Sequence, residues 1–171
     1  LLSLLLKRKR AKQRTILMAN NQTNTEPRKT LGVIRWDAWY GHDGNPKSVI
    51  SNVERTLSPP EFHFRAPFFA KVTEDNNIIV PEYTQEIFDR EMEYAMYAGI
   101  SYFAYIWYDE GDETNAQKGM QKARLFHQTS QYRSDVKMCV VDPPTHDAAR
   151  EEMSKVLVSD YYMTVLDGRP L

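Results

Sequence analysis

The chain has 171 residues, 42% of them hydrophobic and 12% aromatic, and its 22 basic and 23 acidic side chains give a net charge of −1. That size and composition suit one globular domain with its own core, and a mean hydropathy of −0.60 argues against a multi-span membrane protein. Residues 1–30 hold eight basic residues against the single acid Glu26, so residues 31–171 keep 14 basic and 22 acidic side chains, a charge of −8 that repels a nucleic-acid backbone.

The amino terminus sets Leu1–Leu6 before the basic run Lys7–Arg14. A secretory signal places its charges first and has a longer apolar stretch. The segment reads as a clipped terminus, as the end of a membrane span with its stop-transfer cluster, or as a nuclear-targeting run. The first is preferred, membrane contact by this segment stays open, and no compartment is assigned. Asn21-Gln-Thr23 is a glycosylation sequon that matters only in a secreted protein. Residues 15–30 are polar and predict a disordered lead-in, so the expected division is a basic tail over 1–30 and a folded domain over 31–171.

From there the chain alternates. An apolar strand at Leu31–Trp36 is followed by a long segment punctuated by Gly41, Gly44, Pro46, Pro59, Pro60, Pro67 and Pro81. Within that segment Ser48–Leu57 suits a short helix, and Phe62–Val72 suits extended chain. Thr84 caps a helix to Ala98, with Phe88, Met92, Ala95 and Gly99 on one stripe and Gly99 as its stop. Ile100–Tyr108 has the continuous apolar character of a parallel strand covered on both faces. A helix over Ala116–Ser130, a strand over Val136–Val141 and a helix over Asp147–Val158 follow. Asp167-Gly168 is a turn, and Arg169–Leu171 reads as the first step of a fourth strand. Serial βα alternation with right-handed crossovers makes the sheet parallel. A dinucleotide fold needs bare glycine after its first strand, where this chain has Trp36, Trp39 and Tyr40.

Three strands run out into an aspartate: Leu31-Gly-Val-Ile-Arg-Trp-Asp37, Tyr102-Phe-Ala-Tyr-Ile-Trp-Tyr-Asp109 and Val136-Lys-Met-Cys-Val-Val-Asp142. Parallel α/β enzymes build their sites at this carboxyl edge. Aromatic faces stack on the C–H faces of sugars and carboxylates accept from ring hydroxyls, so Trp36, Asp37, Trp39, Trp107, Tyr108, Asp109 and Asp142 are candidate glycan-binding residues. The alternative for each aspartate is a capping role, and for each ring a packing role. Arg35 inside the first strand needs a buried partner, for which Asp109 or Asp142 are candidates, or else an edge position with its head in solvent. In Phe62-His-Phe-Arg65 an extended alternation sets His63 and Arg65 on one face, for binding or for plain loop structure. His42, His63, His127 and His146 have no metal spacing, His127 reads as a surface or core-rim residue, and Cys139 reads as a core residue.

Gly32-Val-Ile-Arg-Trp-Asp-Ala-Trp-Tyr-Gly41, Leu57-Ser-Pro59, Phe62-His-Phe-Arg-Ala-Pro-Phe-Phe-Ala70, Tyr94-Ala-Met-Tyr-Ala-Gly-Ile100 and Val165-Leu-Asp-Gly-Arg-Pro-Leu171 resemble the opening of the WbsX-like family. That family is related to the family 99 glycoside hydrolases, which include endo-α-mannosidases. The resemblance covers residues 31–171 and implies a (β/α)8 TIM-type barrel acting on glycans, usually without a cofactor. It implies that this chain holds about three and a half βα units, with the catalytic carboxylates on later strands, and that it is inactive alone. What carries over is a sugar-binding role for Trp36, Asp37 and Trp107. A non-catalytic glycan-binding or interaction protein, and a degenerate remnant without a stable fold, are the competing expectations.

Overall fold

The computed structural model describes residues 30–37, 39, 41–107, 115–142, 144 and 147–171. The basic tail, its sequon and its membrane contact lie outside these residues, as do Tyr108 and Asp109. Residues 31–171 form one compact α/β unit. In chain order it runs β1 (Gly32–Arg35), α1 (Val49–Leu57), a 3-10 helix (Pro60–Arg65), β2 (Lys71–Val72), β3 (Ile78–Ile79), α2 (Gln85–Tyr97) and β4 (Tyr102–Ile106). Then come α3 (Asn115–Thr129), β5 (Lys137–Asp142), α4 (Asp147–Leu157), β6 (Thr164–Val165) and β7 (Arg169–Pro170). Among the described residues the sheet does not close into a barrel.

β1, β4 and β5 are parallel neighbours in that order. Tyr162 continues the series, bridging Met138 in parallel on the far side of β5. The sheet thus adds strands in sequence order, each after a crossover helix. β1 has no second neighbour strand among the described residues.

Helix α2 shows why these residues fold as they do. The Thr84 hydroxyl accepts from the Ile87 amide, and Phe88, Met92 and Ala95 form its buried stripe. At the other end Ile100 N–H returns to the Ala95 carbonyl and Gly99 N–H to that of Met96, with Gly99 at φ 76°. Only glycine adopts that left-handed stop without strain. The helix-facing side of the sheet carries Arg35, Phe103, Tyr105 and Met138 against α2 and α3. Ile34 lies on the opposite face, 67% exposed.

Two expectations are corrected here. Phe62–Val72 is not extended: Pro59 and Pro60 preset a turn, and Phe62 N–H→Pro59 O and Ala66 N–H→His63 O close a 3-10 helix. Within that stretch Lys71 and Val72 form strand, pairing antiparallel with Ile79 and Ile78. The fourth strand position falls at Tyr162, not at Arg169–Leu171. That terminal stretch turns back at Asp167-Gly168 and pairs antiparallel with β6.

The insert between β1 and α2 has its own small core of Ile50, Ile78 and Val80. Glu54, buried in α1, accepts from the Val80 amide at 2.8 Å and meets His42 Nδ1 at 2.7 Å. A carboxylate this buried is stable because both its oxygens are bonded.

Candidate functional site

The carboxyl end of β1 holds a dense polar cluster among the described residues. Arg35 turns into the seam between sheet and helices, its guanidinium 4.5 Å from the Phe103 ring centre and 5.1 Å from that of Phe88. Its Nε donates to Asp37 at 3.2 and 3.1 Å, and its Nη2 donates to Asp37, to the Tyr83 hydroxyl at 3.1 Å and to Glu91 at 2.9 Å. The Tyr83 hydroxyl donates in turn to Glu91.

Burial works against the charged guanidinium, but the carboxylates of Asp37 and Glu91 outweigh it and hold its pKa above the ordinary arginine range. Burial pushes Tyr83 and Tyr105 up as well, so both remain phenols. Neither is a base at neutral pH. Among the described residues the partners of Arg35 are therefore Asp37 and Glu91, so its head is not in solvent at an edge; Asp109 and the Asp142 side chain, the other expected partners, lie outside those residues. Asp37 and Glu91 are within reach: Asp37 is two residues along the same strand end, and Glu91 lies one helical turn from Phe88 on the flank of α2 that faces β1.

This geometry sorts the expected rim. Trp36 is 51% exposed at the end of β1, its indole open to solvent. Asp37 is 3% exposed and spent on Arg35. Trp39 is half-buried, edge-on to Phe69 with ring centres 6.1 Å apart. Trp107 is buried on the helix side, its ring covered by the Arg124 guanidinium at 3.4 Å, which is held by Glu152 at 3.2 Å. With one face under Arg124 and only 6% of the residue exposed, Trp107 is packed into the core. Asp142 ends β5 opposite Ile106, and its side chain lies outside the described residues.

His63 and Arg65 do not share an extended face. His63 Nε2 sits 2.7 Å from the Ser58 carbonyl and 3.1 Å from that of Asn76, tying the 3-10 helix to the β2–β3 turn, while Arg65 lies over Phe64. His127 is fully buried, which corrects the surface or rim reading. Its Nδ1 bonds the Tyr105 hydroxyl at 2.9 Å, and its ring packs on Phe88 and Phe103. Burial, with the nearby charge of Arg35, lowers its pKa to about 3 against an opposing backbone contact with Val136. It is neutral at physiological pH. Cys139 is a buried core thiol, its pKa raised by burial.

Sequence reasoning missed Tyr83 and Glu91. An acid three residues after a core phenylalanine, on the helix that follows a strand with an internal arginine, was the available signal for Glu91.

Among the described residues no group of three His, Cys, Asp or Glu side chains could hold a metal ion, and no helix is long and apolar enough to cross a membrane. No family model, curated protein or solved structure matches this chain, so its function rests on its own residues.

Proposed function

We propose that residues 31–171 are the amino-terminal part of a (β/α)8-type barrel of the family 99 glycoside-hydrolase kind, and that the β1 end is part of a glycan-binding rim. The observation that carries this reading is strand order. A doubly wound sheet reverses after its third strand and sets the fourth beside the first, whereas Tyr162 joins the sheet beyond β5. Sequential parallel addition is the pattern of a barrel wall.

Trp36 supports the glycan assignment, because an exposed indole at a strand's carboxyl end presents a flat apolar face to a sugar ring. Asp37 supports it indirectly, by fixing Arg35 and the strand end that bears Trp36. Glycoside hydrolysis needs two carboxyl groups flanking the bond, and the reading assigns them to strands beyond these residues. In this chain the rim binds and does not cleave.

Trp36→Ala tests the reading by calorimetric titration with α-mannosides. The expected result is a loss of affinity of about tenfold, the scale of one stacking contact, with the melting temperature nearly unchanged because the ring is exposed. Undiminished affinity in the variant, or no heat with the wild-type chain, would remove the glycan assignment.

A further inference from the structure

We infer that Asp167-Gly168 is a self-modifying site, where the chain cyclises to a succinimide and reopens as an isoaspartyl linkage that unlocks the β6–β7 hairpin. The inference stands apart from the glycan reading, since it rests on the hairpin turn and not on the rim.

The reaction needs an aspartyl carboxyl that is not held elsewhere, a following amide nitrogen within its reach, and room for a ring. Glycine hinders that nitrogen least, because it has no Cβ beside it. The chain has two Asp-Gly pairs, Asp43-Gly44 and Asp167-Gly168, and in both the space where a glycine Cβ would stand is open. The two aspartates differ. Asp43 is half-buried, and its Oδ1 accepts from the Asn45 amide at 3.0 Å and from the Ser48 hydroxyl at 2.9 Å. Those bonds must break before its carboxyl can turn onto its own backbone.

Asp167 lies exposed in the loop Leu166-Asp167-Gly168, between the paired residues Val165 and Arg169. No described residue bonds its carboxylate. Leu166 and Asp167 sit at φ 45° and 62°, the left-handed region that is unfavourable for residues other than glycine. An isoaspartyl product has one more atom in its backbone and is released from that constraint.

The step balances with water alone. The Gly168 nitrogen attacks Asp167 Cγ and a C–N bond forms, while the nitrogen's proton and the carboxyl hydroxyl leave together as water. Water then adds back to the ring. Breaking the new C–N bond restores aspartate, and breaking the original peptide bond leaves the chain running through Cγ with a free α-carboxylate. Nothing is oxidised or reduced. The lengthened loop cannot keep Val165 opposite Arg169, so β7 should part from β6. The Leu171 amide then loses the Met163 carbonyl, and the Tyr162 hydroxyl loses the Leu171 carbonyl.

Aging the full 171-residue chain in mildly acidic buffer tests this, because the hydroxyl leaves as water only from a protonated carboxyl. Peptide mapping after labelling with an isoaspartyl methyltransferase should find the β-linkage at Asp167. It should form there at least about tenfold faster than at Asp43, where bonds to the carboxylate break first. The product keeps its mass, which separates it from asparagine deamidation. Asp167→Glu, which needs a larger ring, should abolish the label at that position without altering the fold, as the side chain is exposed. In the isomerised fraction the Leu171 amide should exchange faster than in fresh protein, with β4 unchanged. Equal rates at the two aspartates, no β-linkage at Asp167, or unaltered exchange at Leu171 in the isomerised fraction would overturn the inference.

Discussion

Replacing Asp37 with alanine should lower the melting temperature by roughly 10 °C, a stability effect rather than an affinity effect. The carboxylate is buried beneath the protein surface and bonds Arg35 through both oxygens. Removing one partner of a buried ion pair leaves the other desolvated and under-compensated, at a cost of about 3–5 kcal/mol. For a chain of this size each kcal/mol corresponds to about 2–4 °C. Arg35→Ala should cost at least as much, since it strands both Asp37 and Glu91 and empties the slot between Phe88 and Phe103. Arg35→Met combined with Asp37→Leu should be less destabilised than the sum of the single changes, because the two residues share one interaction. Thermal unfolding of the four proteins decides. An Asp37→Ala chain that melts like wild type but loses glycan would return the aspartate to the ligand role.

The second large effect is acid sensitivity from His127. Its folded pKa is depressed to about 3, against an unfolded value of about 6.5. Above pH 6.5 the ring is neutral in both states and contributes nothing to the pH dependence. As pH falls below 6.5 the unfolded chain takes up a proton that the folded chain refuses, so stability falls toward pH 3. Between pH 6.5 and 4.5 this amounts to roughly 2–3 kcal/mol. His127→Phe should lose stability at pH 7, because the Tyr105 hydroxyl loses its partner at a cost of about 1–3 kcal/mol. It should also show a shallower decline on acidification. Urea midpoints at pH 7 and 4.5 for both proteins provide the comparison. Parallel declines in the two chains would mean that His127 is not the titrating group.

Much of the framework was legible because it is local. Thr84 and Gly99 bracket α2 through capping chemistry that needs no tertiary partner, and the apolar runs of β1, β4 and β5 mark parallel strands by composition. What escaped was set partly by adjoining turn signals that overrode the local pattern and partly by neighbours distant in sequence. Phe62-His-Phe-Arg65 alternates like a strand, but two prolines ahead of it close a 3-10 helix first. Arg169–Leu171 reads as the start of a strand, and the Asp167-Gly168 turn ahead of it folds it back on β6 as a hairpin instead. The rim was legible only as a set of positions. Trp36, Asp37 and Trp107 all stand at strand ends, yet the first faces solvent, the second neutralises Arg35 and the third lies under Arg124. Residue type and spacing could not separate these three fates, because the separating contacts come from α2, α3 and α4.

The bonding of Glu54 has a dynamic consequence. One carboxylate joins the loop after β1 through His42 and the end of β3 through the Val80 amide to α1, which bears it. The insert's small core meets the main core through Trp39 and Phe69, which pack against both. The insert should therefore open as a unit of its own, fastened internally by the buried Glu54 side chain and joined to the sheet through two aromatic rings. Such units open without global melting. The amide protons of Ile78 and Val80 should exchange as one group and faster than those of β4, so that the region beside Trp36 breathes while the strand carrying it stays closed.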